Sequence, residues 1–412
     1  MTIKSYYKFQ LLLSSFLLSS LFIFETYTFF QAVSFLVSFV IFLLYVIKNK
    51  GKVYLRFSRM HIFMLMFILY SACSILWSVD AKNTIGQVTV LIKLFILISL
   101  LYPCFDEISG SNTLLKTIMY SGYLVSIYTI FYSGLQYSLN LFLSARRLVV
   151  SVMNVNGLGI IAALSLLVTL HYFVEKERSL LLFGAIPSFM MVIMSGSKKA
   201  FIILFAGIVL YFIINSLLSG ATITKLFKIV LVVFLIFIGF FLVMRLSVFS
   251  GIVDRFSRFF GDGDTDNSSI LRKQMIDIAI QNFKDHPIIG TGIGSSNSIL
   301  SSRINFNAYY HNNFVELLSC GGLLGFIIYY ILSYGFIVVS LLKARHNKDK
   351  QWKLIVSMVF VLLMSDYGMV SYYSKHMYIF YMLLFIYCER NCSNYFGDNK
   401  EKQKKYNKLI FM

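Results

Sequence analysis

The sequence predicts an all-α, polytopic helical membrane protein, and three observations carry that assignment. Of 412 residues, 58% are hydrophobic and 17% aromatic while only 13% are charged, less charge than any soluble domain of this size carries. Apolar runs of roughly 17–25 residues, the length of helix that crosses a hydrocarbon core, recur along most of the chain. Polar residues gather instead in one segment of roughly 65 residues, 247–312, and a chain in lipid keeps costly polar groups where they act.

In order, the apolar runs are 9–27, 29–47, 61–77, 88–104, 112–133, 157–174, 179–195, 200–218, 227–246, 313–342, 353–370 and 374–390, about 12 spans. The first, from Phe9 to Phe24, lacks a small-residue cleavage site and is followed by another span, so it reads as a retained helix. Lys48, Lys50, Lys52, Arg56 and Arg59 form one basic cluster near span ends, and Lys343, Arg345, Lys348, Lys350 and Lys353 form a second. A third lies in the tail 391–412, with Lys400, Lys402, Lys404, Lys405 and Lys408. The positive-inside rule then places both termini in the cytoplasm and 247–312 outside. These clusters also suit anionic lipid headgroups, and their distribution argues against nucleic acid as the partner of a chain with net charge +19. Cys73 and Cys320 fall within spans, and Cys104, Cys388 and Cys392 at inner ends, which leaves the outer loops without a disulfide framework. No internal repeat or linker divides the chain. It reads as a single membrane domain, 1–412, with one outer insertion.

The remaining cations run against the positive-inside bias. Arg146, Arg147, Lys198, Lys199 and Arg245 lie at outer span ends or loops, and Arg255, Arg258, Arg272, Lys273, Lys284 and Arg303 follow in the large loop. Arginine grips phosphate oxygens in two places at once, so a diphosphate at the outer leaflet is a natural ligand for the set. Any one of them taken alone reads better as a solvated loop charge, partly balanced by Asp254, Asp262, Asp264, Asp266, Asp277 and Asp285; the set favours the anion site.

Within the loop, 268–283 reads as an amphipathic helix: Ser268 or Ser269 can cap it, and Leu271, Met275, Ile278, Ala279 and Asn282 recur at helical spacing. Arg272 sits in its first turns, and Pro287 ends it. Gly290, Gly292 and Gly294 alternate just beyond, as a tight turn or a backbone cradle for phosphate. Asp262, Asp264 and Asp266 resemble the start of a calcium loop, but Asn267 and Lys273 stand where that loop needs Gly and Glu, so a solvated acidic tip is the better account.

His311 lies where the loop re-enters the membrane, beside Tyr309 and Tyr310. A neutral imidazole can accept a proton near pH 7. A lone boundary histidine is more often a polar anchor; its neighbours strengthen the catalytic reading. Glu316, five residues on, can orient it or hold its own proton, and Gly321, Gly322 and Gly325 allow close packing or a kink below. Lys93 and Asp366 are ionisable groups within spans, marking function or a structural pair. Lys375 and His376, at the outer start of the last span, can line the same vestibule.

Four stretches resemble, in order, the O-antigen ligase and Wzy-type polysaccharide polymerase family. They are Trp77-Ser78-Val79-Asp80 with the residues before it, Asn154-Val155-Asn156-Gly157, Ser195-Gly196-Ser197-Lys198-Lys199-Ala200, and the run from Arg272 through Pro287 and Gly292 to His311-Asn312 and Gly321-Gly322-Leu323-Leu324-Gly325. The resemblance implies transfer of glycans from undecaprenyl diphosphate outside the cytoplasmic membrane of a bacterium, without a nucleotide sugar, cofactor or essential metal. By position, it implies His311 as the base that activates the acceptor hydroxyl, with Arg272 and Lys198 on the donor diphosphate. Lys198-Lys199 stand where the family usually has arginine, keeping the charge but losing the planar fork.

A polymerase uses a second undecaprenyl-diphosphate-linked oligosaccharide as acceptor, and a ligase uses the lipid A core. Polymerisation into capsule or O-antigen is the favoured expectation, with a flippase and a chain-length regulator as possible companions. Single displacement with inversion is expected because no nucleophile stands beside a base. A flippase is the rival of another class, disfavoured by the lack of a repeat and by polar residues crowded on one face.

Overall fold

The computed structural model describes residues 3–24, 28–54, 57–143, 147–150, 154–175, 181–218, 267–345 and 350–396, and among these every regular element is helical. The helices are α1 (Ile3–Ile23), α2 (Thr28–Lys48), α3 (Arg59–Cys73), α4 (Ala81–Phe105), α5 (Ile108–Ser133), α6 (Leu135–Leu143), α7 (Val155–Val174), α8 (Leu181–Ser195), α9 (Lys198–Leu218), α10 (Asn267–Asp285), α11 (Ser296–Ile304), α12 (Asn313–Tyr330), α13 (Phe336–Ala344), α14 (Trp352–Asp366) and α15 (Lys375–Phe396).

A helix occupies each expected span except 227–246, which lies outside the described residues. Among the described residues, seven helical stretches are long and apolar enough to cross a membrane: Ile3–Ile23, Arg59–Leu76, Ala81–Phe105, Ser109–Ser133, Val155–Val174, Lys198–Ser216 and Asn313–Ala344. The expectation of about twelve full spans is therefore met only in part. Ala32–Lys48 and Leu181–Ser195 are shorter apolar helices. At 15 residues α14 reaches only about 22 Å, short of a hydrocarbon core of about 30 Å. Polar Lys375, His376, Glu389 and Arg390 lie at the ends of α15.

Two helices form the interior. α7 packs against α5, α8 and α9 and is buried around nearly its whole circumference. Its close approaches use small residues: a β-carbon on Gly159 would meet the Ser195 and Ala200 side chains, and one on Gly122 of α5 would meet Ser165. α15 packs against α3, α4, α5 and α13, with an unbroken buried run from Met377 to Cys388. Exposed Ile62, Leu65, Leu69, Ile85, Ile92 and Ile96 on α3 and α4 form the kind of outer surface that faces lipid.

Polar contacts separate the bundle into two faces. On one, Lys48 pairs with Glu107 at 2.6 Å, Lys353 and Lys350 pair with Glu175 at 2.6 and 3.0 Å, and Glu389 accepts from the Arg59 amide at 2.6 Å. This is the face that the charge bias assigns to the cytoplasm. On the other, Asp80, Asn154 and Asn312 cap the starts of α4, α7 and α12. The second face carries the candidate site.

Candidate functional site

α12 is broken at its second glycine, where Gly322 adopts φ 60° and ψ −169°. This is the kink expected from the glycine cluster, and only glycine tolerates that backbone. A break leaves amides and carbonyls unpaired, which is costly in an apolar setting. The segment 287–292 takes them up: Leu323 and Leu324 donate to the Pro287 and Ile288 carbonyls at 2.8 and 3.0 Å, while Thr291 and Gly292 donate to the Ser319 and Cys320 carbonyls at 3.3 and 2.9 Å. At Gly290 and Gly322 the two backbones touch, leaving no room for a β-carbon on either. The alternating glycines are thus a tight structural strap, their amides at 290 and 292 spent on protein carbonyls rather than on a phosphate.

The Trp77–Asp80 turn grips the other side of the strap. The Trp77 indole donates to the Ile289 carbonyl at 3.2 Å, the Val79 amide to the Thr291 carbonyl at 3.0 Å, and the Ile293 amide to the Ser74 hydroxyl at 3.2 Å. Asp80 caps α4 through the Asn83 amide at 3.0 Å and also accepts from the Ser298 hydroxyl of α11. Those two hydrogen bonds, that of Ser298 foremost, hold its carboxyl below the ordinary aspartate range.

α10 extends over 267–285, close to the expected 268–283, and packs against α11 and α12 through Met275 and Ala279, which cluster with Leu300, Tyr310 and Cys320. Its buried Asn282 donates to the Ser319 and Thr291 hydroxyls at 2.8 and 3.1 Å. Arg272 lies on the exposed side of α10, the helix that packs against α12.

His311 stands at that start. Its φ of 56° is uncommon for a residue with a β-carbon, and the hydrogen bonds on either side impose it. Asn312 accepts from the Phe314 and Val315 amides at 3.0 and 3.2 Å, and buried Glu316 accepts from the Tyr310 amide at 3.0 Å and the Ser296 hydroxyl at 2.6 Å. Glu316 thus has both oxygens engaged in fixing the residue before His311. The His311 ring lies half-buried, 4.3 Å between centroids from Tyr309.

Arg272 and Lys199 both act electrostatically on that ring. Burial first, then the Arg272 and Lys199 charges, lower the His311 pKa to about 4. The imidazole is therefore neutral at pH 7, a proton acceptor beside two cations. Lys199 lies at the start of α9 against Gly368, where a β-carbon would fall 2.8 Å from Nζ. Lys198 precedes it, half-buried on the same face. The Leu148 amide donates to the Met194 carbonyl at 2.8 Å, which brings Arg147, itself bonded to Asn156 at 3.3 Å, to the same rim.

Of the expected site residues, the structure brings together His311, Arg272 and Lys199, with Lys198 adjacent and Glu316 beneath. Arg255 and Arg258 lie outside the described residues, as do Arg146, Arg245 and the acidic residues 262–266. His376 does not join the vestibule: it is buried against Phe22, 4.3 Å between ring centroids, and bonded to Ser374. Asp366 belongs to a structural network, accepting from Tyr330 at 3.1 Å, which in turn accepts from Asn313 at 2.8 Å. Asn313 also accepts from the Ser371 and Tyr372 amides at 2.9 and 3.2 Å, so α12 is tied to the loop that Lys199 rests on. Sequence reading missed Asn313, since nothing marks it apart from its neighbour Asn312.

A family model described as O-Antigen ligase (Wzy_C) matches residues 180–330, the stretch from α8 through the kinked α12 that holds every described member of the cluster. No curated protein matches the chain.

Proposed function

We propose that this chain, whose residues 180–330 match a family model described as O-Antigen ligase, polymerises undecaprenyl-diphosphate-linked oligosaccharide repeat units into a surface polysaccharide. The observation that carries this is His311, half-buried at the start of α12 on the backbone that Asn312 and Glu316 fix, within electrostatic reach of Arg272 and Lys199. In the proposed step the acceptor hydroxyl oxygen attacks the anomeric carbon, and its proton passes to His311. The carbon–oxygen bond to the diphosphate breaks, and the electron pair leaves with undecaprenyl diphosphate. Arg272 and Lys199, with Lys198 beside them and Arg255 and Arg258 from the loop, offset the charge that gathers on the departing diphosphate. A positioned base is worth about 10²–10⁴-fold in rate. Lipid confinement brings donor and acceptor to one leaflet, and the positive-inside bias of the basic clusters supports the outer one. No cofactor or metal is required by the step as written.

Burial is the larger cause of the lowered His311 pKa, but a bound diphosphate offsets the Arg272 and Lys199 charges that add to it, so docking the donor makes the imidazole a somewhat better base. Glu316 serves as the positioning residue that holds Tyr310, and through it His311.

A ligase is the second reading, favoured by the description of the matching family model. The test is incubation of the purified full chain with a synthetic undecaprenyl-diphosphate oligosaccharide. Longer lipid-linked glycans are the expected product. A product formed only when lipid A core is added indicates a ligase, and no glycan transfer with either acceptor overturns both readings.

A further inference from the structure

Away from the glycan site, α1, α2, α4 and α15 meet around a cavity of about 30 Å³ that is lined by Leu21, Phe35, Leu94 and Leu97 and by two lysines, Lys93 and Lys375. The setting is unusual for paired cations. Ile85, Ile92 and Ile96 of α4 are exposed on the helix that carries Lys93, an aliphatic surface of the kind that faces lipid. Lys93 lies twelve residues past Ala81, about 18 Å along the helix axis. Lys375, the first residue of α15, lines the same cavity. Phe22, next to the lining Leu21, stacks on His376, next to Lys375, so the upper edge of the cavity is fixed. Among the described residues Lys93 takes part in no hydrogen bond or ion pair. An ammonium group at this depth is costly unless an anion meets it, and basic pockets between membrane helices take lipid head groups.

We infer that Lys93 and Lys375 form a lateral site for the phosphate group of a lipid in the leaflet that also holds the glycan site, its chains lying on the Ile85–Ile96 wall. The inference is independent of glycosyl transfer. Two sources of the phosphate are distinguishable, an ordinary phospholipid or a polyprenyl carrier waiting beside the site.

The experiment is lipid retention by the full chain in native mass spectrometry with phosphatidylglycerol, undecaprenyl diphosphate and, as a phosphate-free control, diacylglycerol. The carrier arm uses a Lys199→Gln/Arg272→Gln background, so that only lateral binding is read. Lys93→Gln/Lys375→Gln is expected to weaken retention of at least one phosphate lipid roughly tenfold, the usual effect of removing a charge-assisted contact, and to leave diacylglycerol unchanged. Loss confined to the diphosphate points to the carrier, and loss of both to phospholipid in general. Lys93→Arg/Lys375→Arg, which keeps both charges, is expected to retain binding. Unchanged retention of both phosphate lipids in the glutamine variant overturns the inference, as does equal loss in the arginine variant.

Discussion

In the proposed transfer His311 is the residue on which the chemistry turns, and its environment predicts a pH profile. With a pKa lowered to about 4, the free enzyme keeps its base unprotonated through neutral pH, and kcat/KM for glycan transfer falls only as pH drops through about 4. Arg272→Gln removes one of the charges that depress it, so the acid limb should move upward, toward the ordinary histidine value. A limb that stays near 4 in this variant contradicts the coupling of the two residues. Stability follows the same group. The unfolded chain binds a proton below about 6.5 that the folded chain refuses until about 4, so stability rises with pH across that window and is lost on acidification. His311→Asn should flatten that slope in thermal melts taken from pH 4 to 6.5. Glu316 supplies a contrast: Glu316→Ala leaves the Tyr310 amide and the Ser296 hydroxyl unsatisfied, each costing about 1–3 kcal/mol. Its melting point should fall further than that of Glu316→Gln, which keeps one acceptor.

At the scale of elements, the kink of α12 and the strap beneath it form one unit. Gly322→Ala forces a β-carbon into a backbone conformation reserved for glycine and into the Ile288 carbonyl, at a cost of at least about 1–3 kcal/mol. The expected result is a lower melting temperature with new proteolytic cleavage near 286–295; a wild-type melting curve contradicts the clamp. Much of this region was legible in the sequence because local chemistry governs it. The apolar positions of 268–283 share one helical face, and the packed glycines at 321, 322 and 325 imply a break. The alternating glycines were less legible. Whether their amides meet a phosphate or the Ser319 and Cys320 carbonyls is decided by a chain segment about 28 residues away, which local spacing does not encode. The same holds for Trp77–Asp80, which resembles a family signature and proves to be the turn that anchors the strap.

For the whole molecule, hydropathy placed helices where they occur; among the described residues seven stretches are long and apolar enough to span, while α14 is shorter because a polar turn ends its apolar run. His376 shows the complementary failure: a polar residue at an expected rim is drawn into the core by stacking on Phe22, a contact set by tertiary packing. The separation of polar contacts into two faces predicts sidedness. In a cysteine-free background, Ser302→Cys on exposed α11 should react with an impermeant maleimide added to intact cells, and a cysteine at the Lys350 turn should not. The most direct test of the central proposal is the single-turnover rate of glycan transfer from undecaprenyl diphosphate by the purified protein and by His311→Ala and Arg272→Ala. A base and a diphosphate clamp predict losses of about 10²–10⁴-fold and roughly 10²-fold, with protein of normal melting behaviour. Transfer at the parent rate by both variants would contradict the assignment of this cluster as the site of glycosyl transfer.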